Sequence, residues 1–169
     1  GPSLMETLSK NRDVVEKVPV IAADGATSAL VEKGLLPDVV VTDLDGYVPD
    51  QLKVNEMGSV VVVHAHGDNI DLLKEYVPRF KGMVFGTTQC NPRGYDNLFN
   101  FGGFTDGDRA VFLVEHFGGK RVFLMGFDFH GGIGRFSFPD EKDVGVKKRK
   151  LMWCRRLLQR ISRCEVVFL

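Results

Sequence analysis

Short runs of consecutive apolar residues recur along the chain and alternate with segments of mixed polarity. The runs predict strands over residues 18–23, 39–42, 59–64, 83–88, 121–126 and 165–169. Continuous apolar strands are typical of a parallel sheet that is buried on both faces. The pattern therefore predicts an α/β fold with a doubly wound, mostly parallel, Rossmann-like sheet and helices on both of its faces.

The segments between the runs carry the start and stop signals of helices. Helices are predicted over residues 26–33, 70–80 and 144–161, over a segment from 105 or 106 to about 117, and over the stretch after Ser3. Ser3, Asn69 and either Thr105 or Asp106 are candidate N-terminal caps, because Ser, Asn, Thr and Asp side chains accept hydrogen bonds from the first free amides of a helix. The alternation of strands and helices continues without a linker, which predicts one domain over residues 1–169.

The composition excludes several classes of protein. The chain has 169 residues, 44% of them apolar, and 22 Lys and Arg residues balance 22 Asp and Glu residues. This composition argues against a disordered chain and against a generally basic nucleic-acid binder. No apolar run approaches the roughly 20 residues that span a bilayer, so we expect a cytoplasmic protein without membrane contact. Three widely spaced cysteines indicate neither a disulfide framework nor a zinc site.

The balanced total hides an uneven distribution of charge. Residues 24–108 carry 13 acidic and 6 basic side chains, whereas residues 109–169 carry 6 acidic and 13 basic ones. The basic residues include the run 147–150, which is either a solvated helix face or a contact for phosphate groups. The acidic middle suits a metal site, and the basic end suits phosphate binding.

Carboxylates follow the predicted strands at the points where the strands end. Asp24 follows the first strand, Asp43 and Asp45 follow the second, Asp68 follows the third, and Asp106 begins a later helix. Ligands of open parallel sheets bind outside the carboxyl ends of the strands. A group of carboxylates at one edge is electrostatically unfavourable unless a cation relieves it, and oxygen ligands favour Mg²⁺. Each aspartate also suits a turn or a cap, which is the alternative interpretation.

Three further segments offer polar groups for a ligand. His64 and His66 end the third strand, where they are either structural or able to contact phosphate or accept a proton. The glycine-rich segment 100–109 precedes a helix, so its amides can approach a phosphate, although it matches neither of the two standard nucleotide-binding glycine motifs. Residues 86–89 offer hydroxyl and amide groups for a nucleobase or a pterin-like ring.

The runs 22–25, 37–46, 64–69, 86–89 and 100–110, in this order, resemble the archaeal 6-hydroxymethyl-7,8-dihydropterin pyrophosphokinases of the MptE-like type. The resemblance covers essentially the whole chain. Residues 1–4 resemble the end of the glycine motif near that family's N-terminus, which implies that a first strand lies upstream and is missing here.

A more distant similarity links the chain to the catalytic domain of thiamin pyrophosphokinases, in which acidic loops surround ATP and magnesium. Gly46, Phe104 and Gly107 stand where that family has Ser, Arg and His, so only the transfer geometry is carried over and no thiamin site. The aspartates at matching positions are Asp24, Asp43, Asp45, Asp68 and Asp106.

The resemblance implies Mg²⁺-dependent transfer of diphosphate from ATP to the hydroxymethyl group of 6-hydroxymethyl-7,8-dihydropterin, with release of AMP, in pterin, folate or tetrahydromethanopterin biosynthesis. Asp43, Asp45 and Asp68 are the expected metal ligands, with Asp24 or Asp106 as alternatives. His64, His66 or an aspartate that does not bind the metal is the expected proton acceptor, and the catalytic set comprises Asp43, Asp45, His64, His66, Asp68 and Asp106.

The remaining candidate residues contact the two substrates. The expected nucleotide contacts are Asp24, Gly25, Gly102, Gly103, Thr105, Asp106, Asp108 and Arg109. The expected contacts of the pterin ring are Asn69, Thr87, Thr88 and Gln89. The partners are thus small molecules rather than nucleic acid, and association into a homodimer is left open.

Two other functions fit parts of the pattern. The Asp43-Leu44-Asp45 triplet is also a metal motif of nucleotide-sugar transferases, and related domains occur in bacterial flagellin-glycosylation proteins. A domain that binds nucleotide without catalysis is the second alternative, and it would tolerate substitution of Asp43.

Overall fold

The computed structural model describes residues 1–137 and 143–169, which form two compact units. The sheet unit comprises Pro19–Gly102, and the terminal unit comprises Gly1–Val18 together with Gly103–Leu169. The two units are described separately below. The expectation of a single catalytic domain over residues 1–169 stays a prediction.

Five parallel strands form the sheet of the sheet unit, and they lie side by side in chain order. Their registers pair Ala23 with Val41, Thr42 with Val63, and Ala65 with Thr88. Because every pair is parallel, the carboxyl ends of neighbouring strands lie at the same edge of the sheet. The strands are β1 (Ile21–Ala23), β2 (Val39–Thr42), β3 (Val60–Ala65), β4 (Val84–Thr88) and β5 (Leu98–Phe99).

Valine dominates the central strands because a β-branched side chain packs well on the pleated surface of a buried sheet. Val40 and Val61 are fully buried, and Val41, Val62 and Val63 are almost as inaccessible. Three helices follow the first three strands in turn: α3 (Ala26–Glu32), α4 (Val48–Glu56) and α5 (Ile70–Tyr76). The sheet unit is therefore a repeat of strand and helix that fixes the loops after β1, β2 and β3.

The terminal unit has its own small sheet and its own core. Its core consists of Val111, Leu124, Cys154 and Leu158, against which several aromatic and aliphatic side chains pack. The three cysteines of the chain are free thiols, as the sequence predicts. The elements are α1 (Leu4–Lys10), α2 (Arg12–Val15), α6 (Asp106–His116), β6 (Arg121–Leu124), α7 (Val144–Leu158) and β7 (Glu165–Phe168), and β6 pairs with β7 in parallel.

The predicted α/β class and parallel sheet are confirmed, and the alternation of elements is consistent with a doubly wound, Rossmann-like fold. All six predicted strands are present, and β2 has the predicted bounds. The predicted helix 70–80 ends earlier, at Tyr76, and a 3-10 turn over Val77–Arg79 follows, because Pro78 cannot continue an α-helical hydrogen-bond ladder. None of the helices described in the two ranges is long and apolar enough to cross a bilayer.

Two elements were not predicted, and the cap at Ser3 differs from the prediction. The apolar pattern did not reveal the two-residue strand β5 or the helix α4, which has few apolar residues and carries Pro49 in its first turn. Ser3 does not cap α1 through its side chain, so that prediction is wrong. The Ser3 amide and hydroxyl instead donate to the Asp128 carboxylate, at 2.9 and 3.0 Å.

Candidate functional site

Three carboxylates meet at the carboxyl edge of the sheet unit. Asp24 follows β1, and Asp43 and Asp45 follow β2, each offering one carboxylate oxygen such that the three oxygens lie within 4.8 Å of one another. We call these three residues the acidic triad. The sequence prediction that strand ends bring Asp43 and Asp45 together is confirmed, and Asp24 is the third member.

The backbone around the triad adopts conformations that few residues other than glycine adopt. Asp24 has φ of 45° and Leu44 has φ of 70°, in the left-handed region. The Leu44 side chain is buried in the core, whereas Asp43 on one side is partly exposed and Asp45 on the other is exposed. Leu44 therefore anchors the loop while its two acidic neighbours remain accessible to a ligand. Such backbone strain costs roughly 1–3 kcal/mol per residue and is often found at functional sites.

Two neutral donors hold the carboxylate of Asp24. The Thr42 hydroxyl and the Gln51 side-chain amide both donate to Asp24 Oδ1, each at 3.0 Å. Gly46 lies so close that an added Cβ would come within 2.4–2.7 Å of the Asp24 carboxylate atoms. Neither Thr42 nor Gln51 was predicted as a site residue. Gln51 lies on α4, the helix that the apolar pattern did not reveal.

Crowding changes the electrostatics of the triad. Burial raises the pKa of Asp43, and the negative charge of Asp45 raises this pKa further. Two smaller effects lower the pKa of Asp43. The Asp45 amide donates a hydrogen bond to Asp43 Oδ1 at 3.2 Å, and a positive charge on His66 would also favour the charged carboxylate. Folding thus places Asp43 where its charge is disfavoured, and a nearby cation would relieve that penalty.

His66 and His64 occupy different environments although they are two residues apart. His66 Nε2 lies 3.5 Å from Asp43 Oδ2, and its side chain is 27% exposed. His64 is 1% exposed, and its Nδ1 lies 3.1 Å from the Thr87 hydroxyl. The same hydroxyl lies 3.2 Å from the Val63 carbonyl. His66 is thus the accessible histidine beside the triad.

Asn69 connects the ends of β2 and β3. Its side-chain amide group donates to the Asp43 carbonyl at 2.8 Å and to the His64 carbonyl at 2.7 Å, and its oxygen accepts from the His66 amide at 3.2 Å. It does not cap α5 through its side chain, so the predicted cap is wrong. Asp68 lies exposed in the turn before Asn69 and is not part of the triad, so its predicted metal contact stays a prediction.

The other residues predicted to contact the pterin ring lie at the end of β4. Thr87 and Thr88 are buried, and their hydroxyls are engaged, Thr87 with Val63 and His64 and Thr88 with the Cys90 amide at 3.2 Å. Gln89 is exposed. The substrate contacts predicted for these residues and for Asn69 stay predictions, with Gln89 the most accessible of the set.

The glycine-rich segment divides between the units, with Gly102 ending the sheet unit and Gly103 beginning the later part of the terminal unit. Both glycines have φ near 90°, and an added Cβ on Gly103 would come within 2.7–2.8 Å of Arg109 and Asp108 atoms. Thr105 caps α6 as predicted, in a capping box with Asp108.

Asp108 is committed to this local structure. It is fully buried, and its carboxylate accepts from the amides of Phe104 and Thr105 and from the Thr105 hydroxyl. Its predicted contact with the nucleotide stays a prediction, as do those of Gly25, Gly102, Gly103, Thr105, Asp106 and Arg109. The observed role of Asp108 is to fix the backbone that leads into α6.

Replacing Asp108 with alanine should destabilise the protein by about 2 kcal/mol, because it removes a cap and leaves two amides without their acceptor. Asp106→Ala, in the same turn, should cost less than about 1 kcal/mol, the usual size of a helix-dipole effect. Urea unfolding followed by circular dichroism measures both losses. Equal losses for the two variants would contradict the role assigned to Asp108.

Replacing Asp43 with asparagine should stabilise the metal-free protein at pH 7, because the variant keeps the acceptor for the Asp45 amide without the disfavoured charge. When folding raises the pKa of a carboxyl, that group destabilises the folded protein increasingly as the pH rises from the ordinary pKa of the carboxyl, about 3.9, through its folded-state pKa. The advantage of the variant should therefore shrink as the pH falls toward 4. Urea unfolding in EDTA from pH 4 to 8 tests this, and a pH-independent difference would contradict it.

Comparisons with known proteins agree with the resemblance seen in the motifs. A family model described as "6-hydroxymethylpterin diphosphokinase MptE-like" matches residues 1–132 of this chain. Three relatives are named 6-hydroxymethyl-7,8-dihydropterin pyrophosphokinase. That of Methanothermobacter thermautotrophicus is 48% identical over 168 residues, which cover 96% of this chain and 71% of the relative. The relative from Pyrococcus furiosus is 50% identical over 163 residues, which cover 94% of this chain and 68% of the relative.

The third relative, from Methanocaldococcus jannaschii, is 40% identical over 180 residues, which cover 100% of this chain and 75% of the relative. Identity of this level over nearly the whole chain, together with the family match over residues 1–132, leaves one assignment. The chain belongs to the MptE-like 6-hydroxymethylpterin diphosphokinase family.

Proposed function

We propose that this protein transfers the β,γ-diphosphate of ATP to the hydroxymethyl group of 6-hydroxymethyl-7,8-dihydropterin. The hydroxyl oxygen forms a bond to the β-phosphorus while the bond from that phosphorus to the oxygen of the AMP moiety breaks. The hydroxyl proton passes to a base, and AMP leaves. The single observation that carries the proposal is the acidic triad at the carboxyl edge of the sheet, in a chain whose relatives bear the name of this activity.

The donor set of the triad fits a Mg²⁺ ion. Asp24, Asp43 and Asp45 offer three carboxylate oxygens within 4.8 Å, and Mg²⁺ prefers hard oxygen ligands from a few carboxylates together with substrate phosphates. The raised pKa of Asp43 supports the fit, because like charges crowded at one place favour a cation. When bound, the ion neutralises charge on the phosphate oxygens as phosphoryl transfer proceeds.

The side chains near the triad have separate tasks in this proposal. His66 is the preferred proton acceptor, because its side chain is partly exposed and its Nε2 lies 3.5 Å from Asp43 Oδ2, beside the triad. His64 is buried with its Nδ1 beside the Thr87 hydroxyl, which suits a structural role in orienting the end of β3. Asn69 holds the loop that carries His66 against the backbone of Asp43.

The finer features of the assignment are proposals of the same kind. ATP as the diphosphate donor, Mg²⁺ as the cofactor, and tetrahydromethanopterin as the end product follow from the resemblance of the motifs. A cytoplasmic location and a homodimer stay predictions. The phosphate contacts of residues 102–109 and of the basic run 147–150 remain to be tested by substitution.

Substituting Asp43 or Asp45 with asparagine should lower the rate of AMP formation by at least about 100-fold, because charge stabilisation at the transferred group supplies a large part of catalysis. The assay contains the protein, ATP, Mg²⁺ and reduced 6-hydroxymethylpterin, and chromatography measures AMP and the pterin diphosphate. Asp71→Asn, an exposed acid on α5, is the matched control and should keep wild-type turnover. Circular dichroism verifies that each variant is folded.

This assay, together with measurements of ATP binding and of nucleotide-sugar hydrolysis by the wild-type protein, separates the alternatives. Magnesium-dependent turnover that persists in both variants would refute the role of the triad. ATP binding without any AMP in the wild-type protein would favour a non-catalytic nucleotide-binding domain. Hydrolysis of a nucleotide sugar, with no pterin diphosphate formed, would favour the sugar transferase.

A further inference from the structure

Thr42 and Gln51 are fully buried polar residues beside the triad, and neither is among the residues predicted to bind a metal ion or a substrate. Thr42 ends β2, and Gln51 lies in the middle of α4, 27 residues after Asp24. Their side chains converge on the same oxygen, Asp24 Oδ1, from a strand and from a helix. Buried polar groups need a reason, since an apolar residue of similar size usually serves a core better.

The direction of each hydrogen bond follows from the chemistry of the partners. A carboxylate can only accept, so the Thr42 hydroxyl must give its proton to Asp24. The Thr42 oxygen then accepts from the Leu44 amide, at 2.9 Å. Thr42 thus connects the Asp24 carboxylate to the loop that carries Asp43 and Asp45.

The same reasoning orients the side chain of Gln51. Its amide nitrogen must face Asp24, because the opposite orientation would place two acceptor oxygens against each other. In that orientation Gln51 Oε1 is buried and has no hydrogen-bond partner among residues 1–137 and 143–169. A buried acceptor without a partner is destabilising, so the stability of the core alone does not account for a glutamine here.

Both donors are electrically neutral, which matters for a carboxylate that binds a cation. A lysine or arginine at position 51 would hold Asp24 equally well but would cancel its charge and compete with the metal ion. The hydroxyl and amide donors hold Oδ1 of the carboxylate without adding a positive charge beside it. Gly46 adds a steric limit on the other side, since a side chain there would overlap the Asp24 carboxylate.

We propose that Thr42 and Gln51 are positioning residues that hold the Asp24 carboxylate in the orientation that binds a divalent cation. This inference rests on the proposed function, because it assumes that the triad binds the ion. It adds that the affinity for the ion depends on two neutral donors that are not among the carboxylates predicted to bind it. Hydrogen-bond partners of metal ligands typically change the metal affinity 10- to 100-fold when they are removed.

The test is a titration of the whole protein with Mn²⁺ alone, followed by electron paramagnetic resonance of the free ion. Thr42→Val keeps the shape of the side chain and removes the hydroxyl, and Gln51→Met keeps the length and removes the donor. Each should weaken Mn²⁺ binding by about 10-fold or more. Thr42→Ser retains the hydroxyl and should restore an affinity within about 3-fold of wild type.

Val54→Ala is the control for loss of packing, since Val54 is buried on the same helix as Gln51 and is not one of the donors to Asp24. Its unfolding midpoint should fall, while its Mn²⁺ affinity should stay at the wild-type value. Thermal unfolding of all variants shows that each is folded at the temperature of the titration. A variant that is unfolded there is replaced by Thr42→Ala or Gln51→Leu.

The outcomes distinguish the inference from the function on which it rests. Wild-type protein that fails to bind Mn²⁺ would contradict the metal site itself. Wild-type binding that persists unchanged in Thr42→Val and Gln51→Met would overturn the positioning role and leave the metal site intact. An equal loss of affinity in Thr42→Ser or Val54→Ala would also overturn it, because the effect would then follow packing rather than hydrogen-bond donors.

Discussion

Mutual repulsion among three carboxylates within 4.8 Å is the constraint around which the edge of the sheet unit is organised. Parallel pairing places the carboxyl ends of β1 and β2 side by side, so the aspartates that follow these two strands lie close together. The repulsion is visible in Asp43, whose pKa is raised by burial and by Asp45. A fold that retains such a group forgoes stability at a place where a cation can recover it.

Left-handed backbone and neutral hydrogen bonds keep the crowded groups in position. Leu44 anchors the loop in the core between two acids, and its amide connects to Thr42, which in turn connects to Asp24. Asn69 performs a similar task for the next loop, because it joins the backbone of Asp43 to that of His64 and His66. The local structure thus preorganises the acids and the accessible histidine before any substrate binds, which lowers the cost of binding.

The sequence predicted the strands and the acidic edge well, because both depend on local patterns. A run of valines indicates a buried parallel strand. An aspartate that follows such a strand lies at the carboxyl edge of the sheet, whichever way the next helix packs. Gln51 could not be found in this way, since its contact with Asp24 spans 27 residues and its helix has little apolar periodicity. The local signals of that helix were Pro49 and Asp50 in its first turn and Lys53 in its last turn.

Caps show the same division between local and long-range information. Thr105 caps α6 as predicted, and Asp108, three residues on in the same turn, completes a capping box that was not predicted. Ser3 and Asn69 have equally suitable side chains, but more distant groups engage them: the Asp128 carboxylate for Ser3, and the Asp43 carbonyl for Asn69. Residue type therefore predicts what a side chain can donate or accept, and only the fold decides which partner it meets.

The most direct test of the acidic triad is a crystal structure with Mn²⁺ and a nonhydrolysable ATP analogue, with anomalous scattering used to locate the ion. The account predicts an anomalous peak bound by carboxylate oxygens of Asp24, Asp43 and Asp45, at roughly 2.0–2.3 Å, and shared with phosphate oxygens of the analogue. A peak held by Asp68 or by other side chains, with the triad carrying no ion, would contradict it.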